Sequence, residues 1–203
     1  MTRVLTIAAI LLTFAVPVAA QTKGRVSVGG SVTYARLTDS DVESLVGYGP
    51  LVRLNPKKGW GLAGGLSWFR TNVEEPVSGE AFAKLRVRPL MGGVAYTIGE
   101  QPVLISFSVV AGPSFNDLDF NDDFLNRLPP GPRPELDIKN SFAVRPGVGL
   151  TWTVAPRVAI IGFVGYSFNR PDVIYRSANG TEFRDQWTAD AILLSVGAVY
   201  SLF

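Results

Sequence analysis

Apolar and polar side chains alternate with a period of two along most of this chain. Between Trp60 and Trp68, one parity reads Trp, Leu, Gly, Leu, Trp and the other reads Gly, Ala, Gly, Ser. Because successive side chains of a β-strand point to opposite faces of its sheet, this pattern predicts strands with one apolar face and one face of small residues. A β-bulge is expected in the fourth segment near residues 89–93, where the alternation is disturbed. The predicted strands cover residues 25–37, 48–55, 60–71, 80–98, 103–115, 141–154, 158–169 and 187–203.

The connections between these eight segments alternate between long and short. In an up-and-down meander, alternate connections lie at the same end, so one end of the predicted fold carries tight turns and the other carries long loops. Transmembrane β-barrels have this arrangement, with short periplasmic turns and longer external loops. The long connections are residues 38–47, 72–79, 116–140 and 170–186, and the short ones are residues 56–59, 99–102 and 155–157.

The apolar parity contains too many bulky side chains to fill the narrow interior of an eight-stranded barrel, so we expect it to face lipid. A soluble, lipocalin-like barrel whose apolar face surrounds a ligand is the alternative. Aromatic residues near the strand ends favour the membrane, because such barrels carry an aromatic girdle at each interface. The expected girdles contain Tyr34, Tyr48, Trp68, Tyr166 and Trp187 near the loops, and Trp60, Tyr96, Trp152 and Tyr200 near the turns.

The first twenty residues have the pattern of a secretory signal peptide. Arg3 supplies a positive charge, an apolar stretch covers residues 4–16, and small residues precede the expected cleavage site after Ala20. An uncleaved anchor helix is the alternative. We therefore expect a signal peptide over residues 1–20 and one barrel domain over residues 21–203.

Composition narrows the possible chemistry. The chain has no Cys and no His, which excludes disulfides, Cys/His zinc sites and catalytic triads that need an imidazole base. The formal net charge of +2 is too small to indicate a nucleic-acid partner. Asp117 and Asp119 resemble the start of a calcium loop, but Asp122 stands where Gly is required, so an acidic solvated loop is expected. We expect no cofactor, no metal and no catalysis.

Five basic residues fall on the parity that we expect to face the lumen. Buried charges in a narrow barrel require partners or water. They therefore predict either a structural plug of ion pairs and hydrogen bonds or a narrow passage that favours anions. These residues are Arg53, Lys84, Arg86, Arg88 and Arg145.

The last long connection contains a strong hairpin signal. Asn179-Gly180 lies between two β-prone runs, and a type I′ turn needs positive φ at both central residues. The sequence therefore predicts a ribbon that projects beyond the membrane. Its exposed edge could pair with a partner strand, and a rigid loop without a partner is the alternative.

Together, the N-terminal segment, the alternating strands, the loop pattern and the C-terminal run resemble the OmpA/OmpX type of outer-membrane β-barrel. The resemblance covers the whole chain after residue 20 and implies an eight-stranded antiparallel transmembrane barrel in a bacterial outer membrane. It also implies outer-membrane lipids and the barrel-assembly machinery as partners, the latter through Tyr200, Leu202 and a terminal Phe203 that lies one step out of phase.

The resemblance indicates architecture more sharply than activity. The small barrels of this type that act as deacylases, palmitoyl transferases or proteases use His, which this chain lacks. The expected role is therefore non-enzymatic, either membrane integrity or adhesion to an extracellular protein or surface ligand through the loops. A small passive channel and a soluble periplasmic ligand-binding barrel are the alternatives.

Overall fold

The computed structural model describes residues 25–38, 44–55, 58–74, 81–120, 135–176 and 181–202, all as strands and their connections. Within these ranges, no helix is long and apolar enough to cross a membrane. The strands are β1 (Arg25–Leu37), β2 (Leu45–Asn55), β3 (Gly59–Leu66), β4 (Trp68–Glu74), β5 (Ala81–Glu100), β6 (Val103–Phe120), β7 (Glu135–Ile138), β8 (Ser141–Ala155), β9 (Val158–Asn169), β10 (Asp172–Arg176), β11 (Glu182–Gln186) and β12 (Ala191–Ser201).

Nine of these strands form a closed antiparallel barrel. The order around the wall is β1, β2, β3 with β4, β5, β6, β8, β9 and β12, and β1 pairs with both β2 and β12. β3 and β4 occupy one position in the wall, because only Ser67 separates them. The Ser67 backbone N–H donates to the Pro89 carbonyl at 3.2 Å. The predicted eight-stranded barrel is therefore confirmed.

The barrel has register shifts at residues 73–74 and 153–155 and a gap in pairing at a proline, but no bulge where one was expected. Pairing between β8 and β9 stops at Val144 and resumes at Gly147, across Pro146, which has no N–H to donate. β5 instead keeps one register with β6 from Pro89, opposite Ser114, to Gly92, opposite Ala111. The bulge predicted within residues 89–93 is therefore wrong. The alternation looks disturbed there because a proline and two glycines replace the expected side chains.

Along most of the wall, the apolar parity faces outward. Trp60 is 69% exposed and Val196 is 59% exposed, and their outward neighbours along the wall are also large and apolar. Small residues face the lumen and leave space for larger ones. The ring of Phe163 occupies the positions that side chains at Gly147 and Gly165 would need. An exposed apolar belt of this extent indicates a lipid-facing surface, so the soluble barrel with reversed faces is excluded.

The remaining strands form a separate three-stranded sheet, here called the ribbon. β10 lies between β11 and β7, with Tyr175 opposite Phe183 in β11 and opposite Leu136 in β7. The antiparallel pairing of β10 with β11 agrees with the predicted hairpin, whose turn at residues 179–180 lies outside the described ranges. The sequence did not indicate the third strand, β7, which follows residues 121–134, outside the described ranges.

Candidate functional site

The lumen is divided into two chemically different halves. The half near the long loops, here called the outer half, is lined mainly by apolar side chains, with a few polar ones among them. Phe69, Leu45 and Leu193 form its buried cluster with Ala35 and Ala191. Leu85 is also buried there, because it occupies the inward parity of β5. Side chains of this kind favour an apolar ligand over a hydrated ion.

The half near the short turns, here called the inner half, is crossed by one arginine. The Arg53 guanidinium donates to Thr151 Oγ1 at 2.7 Å and to Ser106 Oγ at 2.8 Å. Ser106 Oγ also shares a hydrogen bond of 3.0 Å with Thr97 Oγ1. Because β2 and β8 lie on opposite sides of the wall, the Arg53 side chain ties one side of the barrel to the other.

Arg145 lies where the two halves meet, and it lines both of them. It is carried by β8 immediately before Pro146, where the β8–β9 ladder is interrupted. Among the described residues, its Nε is buried and has no hydrogen-bond partner. A buried donor without a partner costs about 1–3 kcal/mol, and more when the group is charged.

A group of polar side chains, here called the collar, forms hydrogen bonds between neighbouring strands at the loop end of the wall. Asp190 is 6% exposed and accepts a hydrogen bond of 2.9 Å from the Asn169 backbone N–H. Asn169 Oδ1 in turn accepts from the Ser141 hydroxyl at 2.6 Å, and Asn116 Nδ2 donates to the same hydroxyl at 3.1 Å. The collar therefore joins β6, β8 and β9 to the segment before β12.

The structure divides the five basic residues that the sequence grouped. Arg53 and Arg145 line the lumen. Lys84, Arg86 and Arg88 share the outward parity of β5, on either side of the buried Leu85, so their predicted lumen position is wrong.

The physical reason for this error is that the apolar parity does not always mark the lipid face. Near the loops, the apolar residues of β5 point inward and the charged ones point to solvent. There Arg86 and Arg88 lie 3.7 Å and 3.8 Å from the Asp117 carboxylate, on the opposing strand β6.

Most of the predicted interface aromatics lie on the outer surface of the barrel. Tyr34, Tyr96, Trp152 and Tyr200 are exposed. Several meet a ring on a neighbouring strand or residue, as Tyr48 meets Trp68 with centroids 6.0 Å apart, Trp60 meets Tyr96 at 5.2 Å and Tyr166 meets Phe168 at 4.7 Å.

Trp187 does not belong to this girdle. Its backbone N–H donates to the Pro171 carbonyl, and its side chain lines the mouth of the outer half. The prediction is wrong because β12 begins at Ala191, so Trp187 belongs to the connection before the strand.

Several predicted residues fall outside the described ranges. Asn179, Gly180, Phe203 and the expected signal peptide over residues 1–20 are among them. Tyr200 and Leu202 are described, and both are exposed on the outer surface, with the Leu202 N–H donating to the Val26 carbonyl at 2.8 Å. The expected assembly signal thus retains its parity up to Leu202.

The ribbon carries a network of exposed ion pairs. Arg176 lies 3.3 Å from Glu135 and 3.5 Å from Glu182, and Glu182 lies 2.7 Å from Arg184. The hydrogen bond from Arg184, together with Arg176, lowers the pKa of Glu182 below its ordinary value. Within the described ranges, no group of three or more acidic residues is placed to hold a metal ion.

Sequence reasoning missed the apolar outer half. The available signal was the loss of strict alternation near the loops, where Leu45 and Val46 are adjacent, as are Leu193 and Leu194. Adjacent apolar residues in a strand place one side chain on each face. These pairs are not a specific signal for the outer half, because an adjacent apolar pair at residues 51–52 also lines the inner half.

The fold has known relatives. The solved structure of the outer membrane protein OprG from Pseudomonas aeruginosa is similar, with a TM-score of 0.71 and 12% identity over 88% of this chain and 96% of that chain. A major outer membrane protein from Thermus thermophilus gives a TM-score of 0.60 at 12% identity, over 89% and 100% of the two chains. Outer membrane protein W from E. coli gives 0.57 at 14% identity, over 90% and 100%.

No curated protein sequence matches the chain. The family model for the outer membrane protein beta-barrel domain, however, matches residues 6–200. Together with the closed barrel and its lipid-facing exterior, this match shows that the chain belongs to the outer-membrane β-barrel family and resides in the bacterial outer membrane.

Proposed function

We propose that this outer-membrane barrel takes up small apolar molecules from the external side into the outer half of its lumen, without acting as an enzyme. The observation that carries the proposal is the buried cluster of Leu45, Phe69 and Leu193 on the inward face, which lines a cavity of about 50 Å³ that must widen to admit a ligand. Most of a drug-sized ligand's surface is buried in pockets lined mainly by such side chains, with a few polar groups to orient it.

The inner half argues against a simple water-filled channel. Arg53 spans that half and is held by hydroxyl groups on two other strands. A through passage for hydrated ions would need this side chain to leave both partners. The proposal therefore favours entry from outside and a barrier at the turn end over the passive channel that the sequence left open.

NMR of the protein in nanodiscs of deuterated lipid tests the uptake of apolar molecules, with leucine methyl labels and 1-octanol as the probe. We expect saturable shifts and intermolecular NOEs at Leu193, which is inside the barrel. Leu194 is the internal control, because it faces lipid and should report only non-saturable partitioning. Non-saturable behaviour at both leucines would refute the proposal.

A matched pair of variants locates the bound probe. Ala35→Phe fills the outer half, since Ala35 is 3% exposed and lies in the buried cluster. Ala198→Phe adds the same ring on the outward face. We expect the first variant to abolish the saturable Leu193 shift and the second to preserve it, provided that both retain heat-modifiable gel mobility.

A second candidate function, surface adhesion, is supported by the ribbon. Every residue of β11 is exposed, and the exposed rings of Tyr175 and Phe183 lie with centroids 6.5 Å apart. Exposed aromatics beside a strand edge suit pairing with an extracellular protein. Cell-binding by a Tyr175→Ser/Phe183→Ser double variant tests it, with Gln186→Ser as control; equal binding by the wild type and both variants would exclude this role.

A further inference from the structure

Arg145 carries a charge whose compensation the described residues do not supply. Its Nε is buried without a partner, and no carboxylate of the described ranges lies within ion-pair distance of its guanidinium. Asp190, the buried acid of the collar, accepts a hydrogen bond from the Asn169 N–H instead. Removing an unpaired charge from water costs several kcal/mol, so this position favours an anion or retained water.

The surroundings of Arg145 are asymmetric. On the loop side lie Phe69, Leu85 and Leu193, and on the turn side Arg53 occupies the lumen. Any anion that reaches Arg145 from outside therefore brings the atoms behind it into the apolar outer half. A small hydrated anion would gain the charge interaction but leave the apolar walls without contacts.

We propose that Arg145 binds the carboxylate of an amphipathic monocarboxylic acid whose alkyl chain occupies the outer half. This inference rests on the proposed function and names its ligand class. The planar guanidinium of arginine matches a carboxylate through two parallel N–H···O bonds, one of them from the unpaired Nε. A single negative charge neutralises the single charge of Arg145, whereas a doubly charged headgroup would remain uncompensated.

The depth of the outer half limits the chain length. From Arg145 to the first residue of β8 is four steps, which at ~3.3 Å each and with the usual barrel tilt corresponds to a depth of about 10 Å. A medium-length alkyl chain matches this depth once the cavity of about 50 Å³ has widened, so octanoate is the appropriate probe. 1-Octanol has the same chain without the charge, and acetate has the charge without the chain.

The experiment follows the Arg145 Nε–Hε resonance and the Leu193 methyls of the full chain in nanodiscs. We expect octanoate to shift both sets of signals and to bind at least tenfold more tightly than 1-octanol, which should shift Leu193 only. Acetate should bind much more weakly than octanoate. Equal affinities for octanoate and 1-octanol, with an unmoved Nε signal, would overturn the carboxylate assignment while leaving the proposed uptake of apolar molecules intact.

Two variants test the contribution of the Arg145 charge separately from that of the apolar cavity. Arg145→Met keeps an unbranched side chain and should remove the preference for octanoate while retaining the binding of 1-octanol. Arg88→Met is the matched control, because Arg88 lies on the outer surface beside Asp117. A retained preference in Arg145→Met contradicts the proposal. If that variant does not fold, the wild-type Nε shift decides the matter alone, and loss of binding for every probe refutes the proposed function as well.

Discussion

The two halves of the lumen are built by the same wall but differ in their chemistry. In the outer half, the inward side chains of β2, β4, β5 and β12 are apolar and pack against one another. In the inner half, Arg53 is held by Thr151 and Ser106 across the barrel. The difference shows that one eight-stranded wall can hold an apolar compartment above a polar crosslink, with Arg145 at the level where they meet.

The largest expected effect compares two adjacent leucines on opposite faces of β12. Leu193 is 2% exposed in the outer half, whereas Leu194 is 52% exposed to lipid. Leu193→Ala should lower the free energy of unfolding by about 2–5 kcal/mol, because it leaves a cavity in packed protein. Leu194→Ala should cost less, since acyl chains as apolar as leucine can fill the space.

Urea unfolding in lipid vesicles, followed by tryptophan fluorescence, measures both variants. Retained heat-modifiable gel mobility is the control for assembly. Equal losses for the two leucines would mean that the outer half is not packed as a protein core, and the comparison between the halves would fail.

The next prediction concerns the Arg53 crosslink of the inner half. Arg53→Met removes the crosslink to Thr151 and Ser106, whose hydrogen bonds to a charged group contribute ~1.5–3 kcal/mol each. Removing the charge also removes its desolvation cost, so the net loss of stability should be smaller than for Leu193→Ala. We expect lower stability together with a measurable single-channel conductance in planar bilayers, whereas the wild type should show no steady opening. Arg88→Met, on the outer surface, should leave the conductance unchanged. Ion-selective channels of steady size in the wild type would instead favour the passive channel.

The collar offers a smaller effect at the mouth of the outer half. Asp190→Ala leaves the Asn169 N–H without its acceptor, which should cost about 1–3 kcal/mol if the backbone does not rearrange. Hydrogen exchange of the Asn169 amide should accelerate, while the amide of Thr97 in the inner half should be unaffected. An unchanged Asn169 exchange rate would show that another acceptor protects this amide.

The sequence predicted most of the barrel and little of the division within it. Alternation and loop lengths are properties of single strands, so they revealed the strand number and the lipid-facing parity near Trp60 and Trp152. The lumen depends on which strands face each other, and no local pattern shows that Arg53 reaches Thr151.

The absence of information about neighbouring strands also explains the wrong lumen predictions. The lumen prediction for Lys84, Arg86 and Arg88 assumes that charge avoids the outer surface, which holds only at the depth of the bilayer. Asp117, on the neighbouring strand, supplies the missing context, and its proximity follows from the β5–β6 register rather than from the sequence alone.

The smallest expected effect is a pH response of the ribbon that the lumen does not share. The hydrogen bond from Arg184, with Arg176, lowers the pKa of the exposed Glu182 in the folded protein. A lowered carboxyl pKa stabilises the folded form above the ordinary carboxyl value, and this contribution disappears as the pH falls through the lowered pKa. Acidification should therefore broaden or shift the amide signals of β10 and β11 in NMR spectra, while those of Leu193 and Thr151 stay in place. Glu182→Gln should reduce the response at the residues paired with position 182, and an equal response in the lumen would show that the two regions are coupled.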